Sequence, residues 1–113
     1  MKIAKDHEPS FSAFPSVKEG TSVLFLETDK NNPKWFSGKT TTGVDGYFPC
    51  EWFTINQTTY EAKALKDYDA KELRVRKGDE LEIVLEYGEW ILARSTSESG
   101  WVPKENFDIE EPN

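Results

Sequence analysis

One cysteine and one histidine occur in 113 residues. A single cysteine excludes an internal disulfide and fits a reducing compartment. With one of each, neither a Cys–His nucleophile pair with an orienting third group nor a zinc site of ordinary ligand number has support. His7 falls in an irregular stretch and is read as exposed, and Cys50, beside Pro49, is read as packed rather than reactive. Glycine-rich phosphate loops are missing as well. Carboxylates are numerous but scattered, and Glu80 and Glu82 read as the solvated face of a strand. The expectation is a protein without catalytic residues, metal or cofactor.

Basic residues are outnumbered 14 to 21, for a net charge of −7. That excess speaks against nucleic acid or an anionic membrane as the main partner. It is uneven: residues 1–56 hold 6 basic and 7 acidic groups, and residues 57–113 hold 8 and 14. The acidic second half would attract basic ligands, or serve solubility alone. No apolar run approaches the roughly 20 residues a spanning helix needs, and no signal-type segment opens the chain. A cytoplasmic protein is expected, and so small a pair of units reads as a fragment of a larger one.

What the sequence does have is an echo. Gly100-Trp101-Val102-Pro103-Lys104-Glu105-Asn106-Phe107 repeats the grammar of Gly46-Tyr47-Phe48-Pro49-Cys50-Glu51-Trp52-Phe53. Trp35 and Trp90 precede these glycines at nearly equal distances, and Lys18-Glu19-Gly20 answers Lys77-Gly78-Asp79. A repeat is weighed before other readings. It divides the chain into 1–56 and 57–113, each near the lower size limit for a self-sufficient core. Aromatics make up 13% of residues, with four Trp, which lets a small domain cover much area with few side chains.

Residues 1–15 show no period of 2 or 3.6 and read as an irregular lead-in anchored by Phe11 and Phe14. Strands are expected over 22–27, 35–40, 46–49 and 53–55, with one short helical turn at 50–52. Gly38 suits a tightly packed crossing. Asn56–Thr59 is polar and about four residues long, and reads as the linker. Further strands are expected over 60–65, 80–86, 90–95 and 100–103. Leu81, Ile83 and Leu85 should face inward against Glu80, Glu82 and Glu86, and Leu73 and Val75 should return to the core. Ile83, Phe53, Val102 and Phe107 are also assigned to the core. Residues 108–113 form an acidic tail. About five short strands per unit and no long helix predict an all-β fold, two tandem small five-stranded barrels.

Residues 60–109 resemble a Src homology 3 (SH3) domain along nearly their whole length. The family's opening Ala-Leu-Tyr-Asp-Tyr appears as Ala64-Leu65-Lys66-Asp67-Tyr68. Its Glu-Leu-Ser-Phe-Lys-Lys-Gly-Asp appears as Glu72-Leu73-Arg74-Val75-Arg76-Lys77-Gly78-Asp79, and Gly88-Glu89-Trp90 and Gly100-Trp101-Val102-Pro103 complete the set. Residues 11–55 match only from Lys18 onward and lack the opening motif. They read as a divergent SH3 domain whose Phe48-Pro49-Cys50 ending is similar to that of the N-terminal SH3 domain of Vav-type exchange factors.

The resemblance implies binding of proline-rich segments. A polyproline II helix repeats every three residues and exposes its backbone carbonyls, and parallel rings form slots for it at little entropic cost. By position it implies Trp35, Tyr47, Pro49 and Trp52 in the first half, and Tyr68, Glu72, Trp90, Trp101 and Pro103 in the second. Glu72 takes the place of the acid that fixes a ligand Arg or Lys. Two ring positions are lost in the second half, to Lys66 and Asn106. The first half lacks the opening tyrosines, for which Phe11 or Phe14 would substitute. Two incomplete grooves could therefore share one peptide, proline-rich or atypical. The competing reading of Tyr47, Trp52, Tyr68 and Trp101 is half-buried scaffold. Two other functions compete: a Tudor-like methyl-lysine reader with a cage of Trp35, Tyr47 and Trp52, and an intramolecular clamp of a larger signalling protein.

Overall fold

A computed structural model describes residues 1–108; the expected acidic tail beyond Asp108 lies outside the described residues. Its contacts divide the chain into two compact units. The central unit is Phe11–Lys71. The terminal unit joins Met1–Ser10 to the chain from Glu72 onward.

In the central unit, Gly20 adopts φ +85° and turns the chain into the strand that begins at Ser22, a conformation that favours glycine. The strands are β1 (Ser16–Val17), β2 (Ser22–Thr28), β3 (Trp35–Lys39), β4 (Asp45–Pro49), β5 (Phe53–Asn56), β6 (Glu61–Ala64) and β7 (Tyr68–Asp69). One sheet runs β4-β3-β2-β6-β5, and β1 pairs separately with β7. Strand β2 alternates: Val23 and Phe25 are buried, whereas Leu24 and Leu26 face out. At Gly38 an added Cβ would lie 2.6 Å from the Leu24 carbonyl oxygen, so the crossing of β3 and β2 admits no side chain.

The interior is built of rings. Phe36 and Phe48 stack at 5.3 Å and 18°, and both meet Phe53 edge-on at 5.4 and 5.5 Å. Edge-to-face pairing suits the ring quadrupole, and each such pair adds about 0.5–1.5 kcal/mol beyond area burial.

The expected linker has a different role. The Asn56 side-chain oxygen accepts the backbone N–H groups of Thr58 (2.9 Å) and Thr59 (3.1 Å). Tyr60 then takes φ +59°, and β5 returns as β6 with Phe53 opposite Ala64 and Asn56 opposite Glu61. Asparagine capping its own turn is the reason a polar stretch becomes a hairpin.

The terminal unit contains β8 (Glu82–Tyr87), β9 (Trp90–Arg94) and β10 (Ser99–Pro103), ordered β10-β9-β8. Gly88 and Glu89 both have positive φ, 52° and 70°, as a two-residue hairpin turn requires. The core is largely aliphatic: Ile3, Leu73, Val75, Leu81, Ile91, Ala93, Val102 and Phe107. Leu73 and Val75 do return to it.

Three expectations need correction here. Ile83 is 36% exposed rather than core. The register shifts between Ile83 and Leu85, and such a bulge breaks the alternation that would have turned Ile83 inward. The lead-in is not merely irregular: Lys2 bridges Glu80, Ile3 bridges Phe107 and His7 bridges Val75. The fold is all-β, as expected, but among the described residues the hydrogen-bonded sheets are five-, three- and two-stranded and do not close into barrels.

Candidate functional site: two aromatic surfaces

In both units a tryptophan sits opposite a proline across a strand pair. Trp35 faces Pro49 between β3 and β4, and Trp90 faces Pro103 between β9 and β10. Each proline ends its strand and is followed by one 3-10 turn, Cys50–Trp52 or Lys104–Asn106. The last residue of that turn differs: Trp52 in one unit, Asn106 in the other.

In the central unit, Tyr68 reaches Trp52. The two rings meet edge-on at 5.6 Å, and the Tyr68 hydroxyl donates to the Tyr47 carbonyl at 2.9 Å. Tyr68 also packs on Phe48 at 5.7 Å. It is 3% exposed, so its ring supports the surface from behind. Trp35 is 6% exposed and Pro49 is buried, whereas Trp52 is half-buried and Tyr47 is 45% exposed. The Lys66 ammonium stands 3.8 Å above the Trp52 ring, a cation–π contact.

Gly46, one residue before Tyr47, has the Pro15 ring against it; a Cβ there would come within 2.5 Å of Pro15. Phe11 and Phe14 do not take the tyrosine places. They pair with each other at 6.1 Å, with Phe11 largely exposed.

In the terminal unit, His7 takes the corresponding place. Its ring meets Trp90 edge-on at 6.0 Å, and its Nε2 lies 2.8 Å from Glu72 Oε1. His7 is thus not the exposed residue expected; its side chain is 14% exposed because the carboxylate holds it. The same Glu72 oxygen accepts the Ser10 N–H at 3.1 Å and the Ser10 hydroxyl at 3.0 Å. Glu72 is 9% exposed; its Oε1 therefore spends its acceptor capacity on residues 7–10. Asn106 is also buried and donates through Nδ2 to the carbonyls of Lys5 (3.1 Å) and Asp6 (2.9 Å). Trp101 is buried, while Trp90 and Pro103 are half-buried.

Sequence reasoning missed Lys2-Ile3-Ala4-Lys5-Asp6-His7. The signal was present: it parallels Lys63-Ala64-Leu65-Lys66-Asp67-Tyr68, with histidine where a tyrosine would have been noticed. Asp6 Oδ1 accepts the Lys77 N–H at 2.7 Å, as Asp67 Oδ1 accepts the Glu19 N–H at 2.8 Å. That N–H, and after it the Lys18 ammonium, holds the Asp67 carboxyl below its ordinary value. Burial pushes the Cys50 thiol up, away from the thiolate that reactivity needs.

Residues 63–104 match the family model of the SH3 domain. The chain carries an SH3 domain at those residues. The matched segment begins in β6, within the central unit, and continues from Glu72 in the terminal unit. No curated protein and no solved structure matches the chain. The SH3 domain is a non-catalytic interaction domain that binds proline-rich partners. Among the described residues no helix is long and apolar enough to cross a membrane, which leaves spanning by strands unaddressed.

Proposed function

We propose that the chain is a non-enzymatic interaction module with two SH3-like surfaces, working in cytoplasmic signalling or cytoskeletal assemblies. In this reading residues 1–56 and 57–113 descend from two copies of one domain, the first divergent. The surface of Tyr47 and Trp52, backed by the buried Trp35, Pro49 and Tyr68, receives an extended proline-bearing peptide. The supporting observation is the edge-on pairing of Tyr68 with Trp52: the ring the first half of the sequence lacks comes from the second. The surface of Trp90 and Pro103, with His7 and Asn106 in ring positions, offers one indole and more polar walls. It suits an atypical or weaker ligand, and two surfaces of unequal strength can act on one segment by effective concentration.

The experiment is a titration of the full chain with proline-rich and methyl-lysine peptides, followed by amide shift mapping. Trp52→Ala is expected to weaken proline-peptide binding by about 30-fold, the loss of roughly 2 kcal/mol usual for an aromatic anchor. Trp90→Ala should cost less. Unchanged affinity in the double variant would refute the reading. A methyl-lysine peptide that bound better than a proline-rich one would favour the cage instead; Lys66 already over Trp52 argues against that, because it competes for the ring face.

A further inference from the structure

We infer that Met1–Ser10 and residues 62–71 are interchangeable arms, and that the chain converts between the arrangement described and one in which the two arms have traded places. In the arrangement described, each half of the sequence lends its opening arm to the other half. Residues 1–10 complete the unit of residues 72–108, and residues 62–71 complete the unit of residues 11–56.

Four hydrogen bonds recur in both docking seams. The Ile3 N–H donates to the Asp79 carbonyl at 2.8 Å, and the Ala64 N–H donates to the Thr21 carbonyl at 2.9 Å. The Ile3 carbonyl accepts the Gly78 N–H at 2.7 Å, and the Ala64 carbonyl accepts the Gly20 N–H at 2.8 Å. The Ala4 N–H donates to the Asn106 carbonyl and the Leu65 N–H to the Trp52 carbonyl, each at 2.8 Å. Asp6 on the Lys77 N–H and Asp67 on the Glu19 N–H make the fourth pair. Both arms carry Lys-Asp at the same register. They leave their seams at equivalent points, Ser10 to Phe11 and Lys71 to Glu72.

Trading arms therefore conserves these four bonds, although Pro9, in the register of Ala70, has no N–H to replace the one that the Pro15 carbonyl accepts at 3.0 Å. What changes is side chains. Ile3, packed in an aliphatic core, exchanges with the smaller Ala64, which lies opposite Phe53 beside a cluster of rings. His7, held by Glu72, exchanges with Tyr68, held by the Tyr47 carbonyl. These fits favour the arrangement described, and the trade would move the tyrosine to Trp90 and the histidine to Trp52. The consequence for ligands rests on the proposed function; the trade itself does not.

The test uses the full chain with Cys50→Ala and engineered cysteine pairs, bridged by a short bis-maleimide. Thr54 and Lys63 are exposed cross-strand partners, so T54C/K63C should bridge at once within a monomer. Lys2 instead bridges Glu80, and its carbonyl accepts the Asp108 N–H at 2.9 Å. In the traded arrangement Lys2 takes the place opposite Thr54. K2C/T54C is expected to bridge within monomers, slowly, at a rate that levels off as reagent increases because opening limits it. Bridging only between copies, or none, would overturn the inference. The two bridged forms are then titrated with one proline-rich peptide. At least a tenfold difference in affinity is expected. Equal affinity would overturn the groove reading while leaving the trade intact.

Discussion

In the central unit ring packs on ring: Phe36, Phe48, Phe53 and Tyr68 touch one another around 5.3–6.2 Å. In the terminal unit the corresponding positions hold Ile91, Val102, Phe107 and His7, with Phe107 the one phenylalanine of that unit. The surfaces follow the cores. Where the interior is aromatic, the surface adds Trp52 and Tyr47; where it is aliphatic, the wall is closed by Asn106 and His7, each tied by hydrogen bonds. The Trp52 ring meets the Tyr68 ring edge-on and lies under the Lys66 ammonium. An amide held by two carbonyls is committed to the scaffold. One strand plan thus carries a ring in one unit and a fastened amide in the other at the last residue of the turn after the proline.

The comparison can be broken most forcefully in the cores. Phe48→Ala, at a fully buried position, should cost about 3–5 kcal/mol. Denaturant unfolding gives the size, and hydrogen exchange should speed up in Phe11–Lys71 amides first. Equal speeding of Ile91 and Val102 would erase the distinction between the units. Asn106→Ala comes next, because it strands the carbonyls of Lys5 and Asp6; a loss of about 1–3 kcal/mol is expected, with residues 1–10 exchanging faster.

The smallest effect should come from Asp67. Its folded carboxyl lies below the ordinary value, chiefly through the Glu19 N–H. A depressed folded value means the contribution is complete above the usual carboxylate range and fades as pH falls through the folded value. Asp67→Asn should therefore differ slightly from the parent near neutrality and coincide with it in strong acid. A gap that widened in acid would show the sign to be wrong.

Much of the strand plan was legible, because turn residues and the Gly-aromatic-apolar-Pro grammar are local signals. Cys50–Trp52 forms the short turn its sequence suggests. The buried places of Phe53, Val102 and Phe107 follow from the same pattern. The arms were not legible, for two reasons. Ile3-Ala4-Lys5-Asp6-His7 lacks the rings by which an SH3 opening is noticed. And which of two equivalent seams an arm occupies is a non-local choice, set by contacts such as His7 with Glu72. The bulge after Ile83 was hidden for a related reason: Val84 and Leu85 are apolar, so nothing in the pattern marks where alternation fails. Glu72 kept its acidic place in the motif, yet the structure turned that acid toward its own chain.

Lys66 above Trp52 gives the central surface a resident occupant. An incoming cation must evict it and gains only the difference between two like charges on one indole. A neutral proline ring can slide in as the ammonium swings out to water. Neutralising that single amine, by acetylation for instance, would remove the charge that draws it to the indole.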